Sequence, residues 1–177
     1  DAELNASKIV NDYPEKSLSD LIYKYSEDPN SRRIASAICQ NRPIFSSVEL
    51  ANIIESANLK VRRKHHPATL TFQALRIAVN GEIKELESTL DDSLSLLGIG
   101  GRLAVITYHS LEDRIVKNFI KRGTSKCDCP PLNLECTCSI NPSIKIINKK
   151  PITPSSTEIS SNPRSRSAKM RVIERII

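Results

Sequence analysis

The feature that most constrains this chain is an apolar stripe. Phe72, Leu75, Val79, Ile83, Leu86, Leu90, Leu94 and Leu97 recur every three or four residues, which lines one face of an α-helix. Read without interruption, the stripe predicts a single amphipathic helix on the order of 40 Å long at about 1.5 Å per residue. Such a face has to be buried against a partner. Gly98 to Gly101 stops the helix, and Arg102-Leu-Ala-Val-Ile-Thr-Tyr108 follows as an apolar run too short for a buried helix. A strand covered on both faces fits it best. Ser110-Leu-Glu-Asp113 then has the form of a helix cap, with Ser110 and Asp113 as the capping groups, ahead of a helix whose apolar side is Leu111, Ile115, Phe119 and Ile120. Helix, buried strand, helix is the rhythm of a doubly wound α/β sheet.

Upstream the pattern differs. From about Ser17 to Ala57 the apolar residues come in short helical blocks: Leu18, Leu21, Ile22 and Tyr25, then Ile34 and Ile38, then Leu50, Ile53, Ile54 and Ala57. Asp28-Pro-Asn30 and Arg42-Pro43 punctuate them, and Ser46-Ser-Val-Glu49 has the spacing of a capping box. The first 60 or so residues therefore predict a small helical lobe without strands. Downstream, residues 143–147 and 170–176 read as two further strands. The Pro- and Ser-rich connection from Lys150 to Ser167 is long for a hairpin, and loops of that length are often functional.

At 177 residues there is room for one domain with an appended lobe. Hydrophobic residues at 39% and charged ones at 26% sit near globular averages, which excludes a disordered tail or a coiled coil as a description of the whole. The net charge of +6 favours a polyanionic partner without identifying one. No apolar run approaches the roughly 20 residues that a bilayer crossing needs, and Asp1-Ala-Glu-Leu4 has no signal-peptide character. The expectation is a soluble cytoplasmic protein with no membrane partner. Because the first residue is Asp and not Met, the chain is expected to be a processed or truncated piece.

Several motifs carry chemistry, each with a plainer reading beside it. Gly98-Ile-Gly100-Gly101 follows a helix and precedes a strand, the reverse of a dinucleotide loop, so it reads as a turn. No other glycine-rich loop exists in the sequence, and the usual cradle for a nucleotide-like cofactor is missing. His109 stands at the carboxyl end of the buried strand, where open α/β sheets bind ligands; it is either a substrate contact or a satisfied structural histidine. The run Lys60-Val-Arg62-Arg63-Lys64-His65-His66 is either a solvated linker or a nucleic-acid contact. Asn162-Pro-Arg164-Ser-Arg166-Ser-Ala-Lys-Met-Arg171 can grip phosphates or be a solvated loop. Cys127, Cys129, Cys136 and Cys138 form two C-x-C pairs six residues apart. Four thiolates can hold zinc, although C-x-C is tighter than the usual spacer, and free thiols on a loop are the alternative. Five cysteines in a chain without export features argue against a disulfide framework, and Cys39 on an apolar helix face reads as core.

Taken together, His66-Pro-Ala-Thr69, Thr71-Phe-Gln-Ala-Leu-Arg-Ile77 with Asn80, Gly100-Gly-Arg-Leu103, His109-Ser-Leu-Glu-Asp-Arg114 and residues 162–169 closely resemble the MraW family. The resemblance runs from the helical lobe to the end of the chain. It implies a methyltransferase that uses S-adenosylmethionine to methylate the N4 amine of a cytosine in small-subunit ribosomal RNA, with that RNA or the small ribosomal subunit as partner. It implies an α/β fold: the second half of a Rossmann-like class I methyltransferase domain at residues 65–177, plus part of a helical insertion domain at residues 1–64. It also implies that the cofactor loop, the acidic group that holds the cofactor ribose, and the segment lining the base pocket precede Asp1. A carboxyl-terminal fragment is thus expected, with no cofactor-binding residue in this chain.

On that reading His109 is the surviving candidate for the wall of the catalytic pocket. Arg62, Arg63, Lys64, His65, His66, Arg114, Arg164 and Arg166 are cast as RNA-binding or positioning residues. The competing reading is a non-catalytic RNA-binding or zinc-stabilised interaction module in which the α/β half is scaffold only.

Overall fold

The structure is a computed structural model and describes residues 4–57, 66–125, 127 and 141–177. The chain divides into two compact units, Asp1–Glu82 and Ile83–Ile177.

The first unit is all helix among the described residues: α1 (Ala6–Asp12), α2 (Glu15–Ser26), α3 (Ser31–Gln40), α4 (Ser47–Ala57) and α5 (Thr69–Asn80). The boundaries follow local chemistry. The Asn5 side chain accepts from Lys8 N at 2.9 Å to start α1. Glu27 in the left-handed region (φ 54°) ends α2, and the Asp28 carboxylate accepts from Asn30 N at 3.0 Å to turn the chain into α3. Ser46 Oγ accepts from Glu49 N at 3.1 Å, as the S-x-x-E spacing predicts. The return bond from Glu49 goes one residue further back, to Phe45 N at 2.9 Å. Ile9, Leu18, Ile22, Ile34, Ile38 and Ile54 are fully buried in one core. Two long-range polar ties close it. Asn11 donates to Ile44 O and accepts from Ile44 N, and Arg42 donates to the carbonyls of Val10 and Tyr13 at the end of α1. Cys39 packs partly buried against this core, as its place on an apolar face predicts.

The single long helix expected from Phe72 to Leu97 is two helices, α5 and α6 (Glu82–Leu96). Gly81 adopts φ 65°, and its N–H caps α5 by donating to Ile77 O. The left-handed conformation is one that glycine alone takes without strain, so the apolar period continues in the sequence while the backbone does not. Asn80-Gly81 was the available signal. Arg76 grips Glu82 across the break with two bonds of 2.8 and 3.0 Å.

The second unit contains α6, β1 (Arg102–Thr107), α7 (Ser110–Thr124), β2 (Ile144–Ile146), α8 (Ser156–Ser161), a short 3-10 helix (Pro163–Ser167) and β3 (Lys169–Arg175). All three strands expected from the sequence are present. Their order is β1-β3-β2, with β3 antiparallel to both neighbours. β1 and β2 therefore run parallel to each other with β3 inserted between them, a split β-α-β arrangement in which α7 lies in the connection. This is a mixed helix-and-sheet unit of the expected α/β kind, although adjacent strands are antiparallel. The long segment between β2 and β3 holds α8 and the 3-10 helix.

Strand β1 is covered on one face, not two. Leu103 and Val105 pack against the core, whereas Arg102, Ala104 and Ile106 are exposed. No described element lies over that outer face. The inner face buries Leu90 of α6, Val116, Phe119 and Ile120 of α7, Ile144 and Ile173. The Gly98–Gly101 turn locks onto the end of β3: Gly100 N donates to Arg175 O at 2.7 Å and Arg175 N to Gly101 O at 2.9 Å. A Cβ on Gly101 would stand 2.8 Å from Gly98 O, which explains glycine there. The Arg175 guanidinium in turn accommodates the otherwise unsatisfied carbonyls of Leu94, Ser95 and Leu97 at the end of α6.

Candidate functional site

Strand alternation makes the site. Along β3, Lys169, Arg171, Ile173 and Arg175 share one face, and the register sets Arg171 opposite Val105 and Lys169 opposite Thr107. That face looks at α7, which starts where β1 ends. Asp113, in the first turn of α7, is 5% exposed and receives Arg171 Nε at 2.8 Å. Lys169 and Lys117 stand 3.6 and 3.8 Å from its other oxygen. Burial pushes the Asp113 carboxyl up, but the Arg171 hydrogen bond and the charges of Arg171, Lys169 and Lys117 outweigh it and hold it below the ordinary carboxylate range.

Asp113 is therefore an ion-pair hub and not a capping group, and Ser110 is the first residue of α7, not its cap. The cap is His109. Its Nδ1 accepts from Glu112 N at 3.3 Å, while the Glu112 carboxylate accepts from Tyr108 N at 2.7 Å and His109 N at 3.2 Å. Histidine thus takes the role that Ser or Asp plays in an ordinary capping box. An accepting Nδ1 carries no proton, so the neutral ring holds its proton on Nε2. Nε2 lies 3.1 Å from Glu112 Oε1 without the alignment of a hydrogen bond, and it is buried. Burial raises the Glu112 carboxyl, and the His109 side chain with the Tyr108 and His109 N–H groups lowers it further than burial raises it. The His109 side chain is 15% exposed. It is a held imidazole at the carboxyl end of β1, engaged with its own helix.

The other sequence-derived positions are dispersed. Arg62, Arg63, Lys64 and His65 lie outside the described residues, as do Cys129, Cys136 and Cys138. His66 is half-exposed in the first unit: its Nδ1 accepts from Ala68 N at 3.2 Å, and its Nε2 is 3.9 Å from Glu55. Arg114 is exposed on α7. Arg164 and Arg166 are exposed on the 3-10 helix, which Asn162 caps by accepting from Arg164 N at 3.2 Å and which buried Ser165 anchors by donating to Asn162 O at 2.8 Å. Cys127 is exposed. Among the described residues no group of three or more His, Cys, Asp or Glu side chains is placed to hold a metal ion. No described helix is long and apolar enough to cross a membrane.

Sequence reasoning placed Lys169 and Arg171 in the motif from Asn162 to Arg171 as a phosphate grip or a solvated loop; it missed that they, with Lys117, pair with Asp113. The Asp113 to Lys117 spacing of four was visible as a helical ion pair. The link from α7 to β3 was not, because it needs the strand register.

The family model described as the MraW methylase family matches residues 1–176. The chain is 58% identical over 175 residues to the Ribosomal RNA small subunit methyltransferase H of Dehalococcoides mccartyi, covering 99% of this chain and 50% of that protein. It is 49% identical over 176 residues to the protein of that name from Lawsonia intracellularis, covering 96% and 56%. With its counterpart in Finegoldia magna it shares 44% identity over 180 residues, 98% of this chain and 58% of that protein. The chain spans about half the length of the curated relatives it matches.

Proposed function

Since this chain belongs to the MraW methylase family, we propose that it contributes to methyl transfer from S-adenosylmethionine to the N4 amine of a cytosine in small-subunit ribosomal RNA. The observation that carries this reading is the near-complete family match at 58% identity to a named small-subunit RNA methyltransferase. Order β1-β3-β2 with an antiparallel central strand and α7 in the connection fits the second half of a Rossmann-like class I domain in residues 65–177. Residues 1–64 are then the partial helical insertion. That boundary is drawn by ancestry, whereas the compact unit extends to Glu82 because α5 packs on α1 and α2.

The chemistry sets what the protein has to do. The exocyclic amine of cytosine is a weak nucleophile because its lone pair is delocalised into the ring, so it has to be oriented against the methyl donor and relieved of its proton. A base in structured RNA also has to be splayed out to be reached. Among the described residues no glycine-rich turn joins a strand to a helix, and no residue of this chain is assigned to S-adenosylmethionine. In this reading His109 belongs to the wall of the target pocket. Arg114, Arg164, Arg166, His66 and the run from Arg62 to His65 belong to RNA positioning. The small ribosomal subunit is the partner and the cytoplasm the compartment. Zinc at Cys127, Cys129, Cys136 and Cys138 rests on their spacing alone.

A chimera tests the reading. Replacing the matching 175 residues of the Dehalococcoides mccartyi methyltransferase with this chain should preserve transfer of labelled methyl groups to unmethylated small subunits. A folded chimera that binds S-adenosylmethionine but transfers nothing sinks the proposal, and favours the scaffold-like RNA-binding module instead.

A further inference from the structure

Beside the Asp113 cluster, a cleft of about 270 Å³ in the second unit is lined by Lys117, Lys121, Ile120 and Thr124 of α7, Ile146 of β2, Asn148 and Lys149 just after it, and Arg171 of β3. Four of these eight side chains are cationic, and none is a carboxylate. Asp113 pairs with two of these cations, Lys117 and Arg171, and is also shared by Lys169. Concentrating cations from three separate elements costs self-repulsion. The helix macrodipole accounts for Lys121 in the last turn of α7, but Lys117 lies mid-helix and Lys149 on another segment. The cleft is also braced. Asn148 accepts from Val172 N at 2.6 Å and donates to the carbonyls of Lys150 and Met170 at 2.8 and 3.1 Å. Arg171, 13% exposed, is clamped to Asp113. Lys117 is half-exposed, and Lys121 and Lys149 are exposed.

We propose that this cleft is a second RNA-backbone site, in which Lys117, Lys121 and Lys149 meet phosphodiester groups while Asn148 and the Arg171–Asp113 pair hold its floor. The charge selects a polyanion, and a cavity this small, rimmed by cations from separate elements, suits a tracked backbone better than an enclosed ligand. The inference rests on the RNA-substrate reading and adds to it a surface whose lining does not include Arg164 or Arg166.

The test is binding of a labelled single-stranded RNA of about 24 nucleotides to the full 177-residue chain, followed by anisotropy across a salt series. The variant Lys117→Gln/Lys121→Gln/Lys149→Gln should lose about tenfold or more in affinity and flatten the slope of log affinity against log salt by about two units, near 0.7 per lost contact. The control Lys8→Gln/Lys16→Gln/Lys84→Gln removes the same charge from exposed helix positions elsewhere and should change the slope by less than one unit. If the triple variant unfolds, Lys121→Gln/Lys149→Gln leaves all partners of Asp113 in place and should still flatten the slope by more than one unit. Equal losses in variant and control, or an unchanged slope, overturn the proposal. So does a wild-type chain that binds no RNA, an outcome distinct from failure of the chimera to transfer methyl groups.

Discussion

Arg171 in the middle of β3 donates its Nε to Asp113 in the first turn of α7 at 2.8 Å, across 58 residues of sequence. This bond ties the last strand to the helix that leaves the carboxyl end of β1, so the position of His109 depends on it. Both side chains are largely buried, at 13% and 6% exposure. Removing one partner of such a pair strands a charge, whereas replacing both with apolar groups of similar volume is often neutral.

Arg171→Met alone should therefore destabilise the chain by about 3 kcal/mol, the lower end of the usual range because Lys169 and Lys117 still face Asp113. Arg171→Met combined with Asp113→Leu should recover most of that loss. Urea unfolding of the two variants decides it, and a double variant as unstable as the single would mean that the pair contributes more than the avoidance of an unpaired charge.

Acid should expose the same bond. A carboxyl whose folded pKa lies below its unfolded value of about 3.9 contributes stability fully above that value and loses it as pH falls through the folded pKa. Asp113 is such a group. The melting-temperature advantage of wild type over Asp113→Asn should be constant from pH 7 to about pH 5 and shrink below about pH 4. An advantage that persists undiminished to the lowest pH at which the chain folds would contradict this.

At His109 the two roles can be separated. His109→Ala should cost about 1 kcal/mol of stability, the usual value of an N-cap, and His109→Asn should restore it because Asn caps well. If His109 also lines the target pocket, the chimera carrying His109→Asn should be stable yet transfer methyl groups more slowly. Full activity in that variant leaves His109 with its capping role alone.

Gly123 near the end of α7 packs against Ile144, which is 2% exposed, and a Cβ there would overlap the isoleucine side chain. Its backbone is ordinary, so the constraint is space, not conformation. Gly123→Ala should destabilise by about 1–3 kcal/mol through overpacking, and adding Ile144→Val should relieve part of it. Additive losses in the two variants, measured by chemical denaturation, would show that the contact is not the cause.

The cysteine spacing makes a separate prediction. Metal analysis of chain purified without chelator should find about one zinc per chain if four thiolates ligate it. Zinc near zero with five titratable thiols would assign these cysteines to a plain loop.

Local order was written in the sequence. The helical blocks of the first unit, the strand from Arg102 to Thr107, the start of α7 and the strands near the end were legible because each rests on a period of two or about 3.6, or on a capping pattern within four residues. So was the family, because several ordered motifs match together. What escaped was non-local. The apolar stripe ran through Gly81 without a break, yet one left-handed glycine divided it between two compact units. Ser110 and Asp113 looked like caps because the motif supplies acceptors at the right spacing; His109 capped instead, and Asp113 was drawn to Arg171. That choice depends on which residue of β3 lies opposite Val105, and so on strand register, which hydrophobic burial sets across the sheet. The antiparallel insertion of β3 between β1 and β2, and the gathering of Lys117, Lys121, Lys149 and Arg171 around one cleft, likewise follow from packing α7 on the sheet. Periodicity specifies which face of an element is apolar, but the charged residues that meet behind that face are determined only when the elements dock.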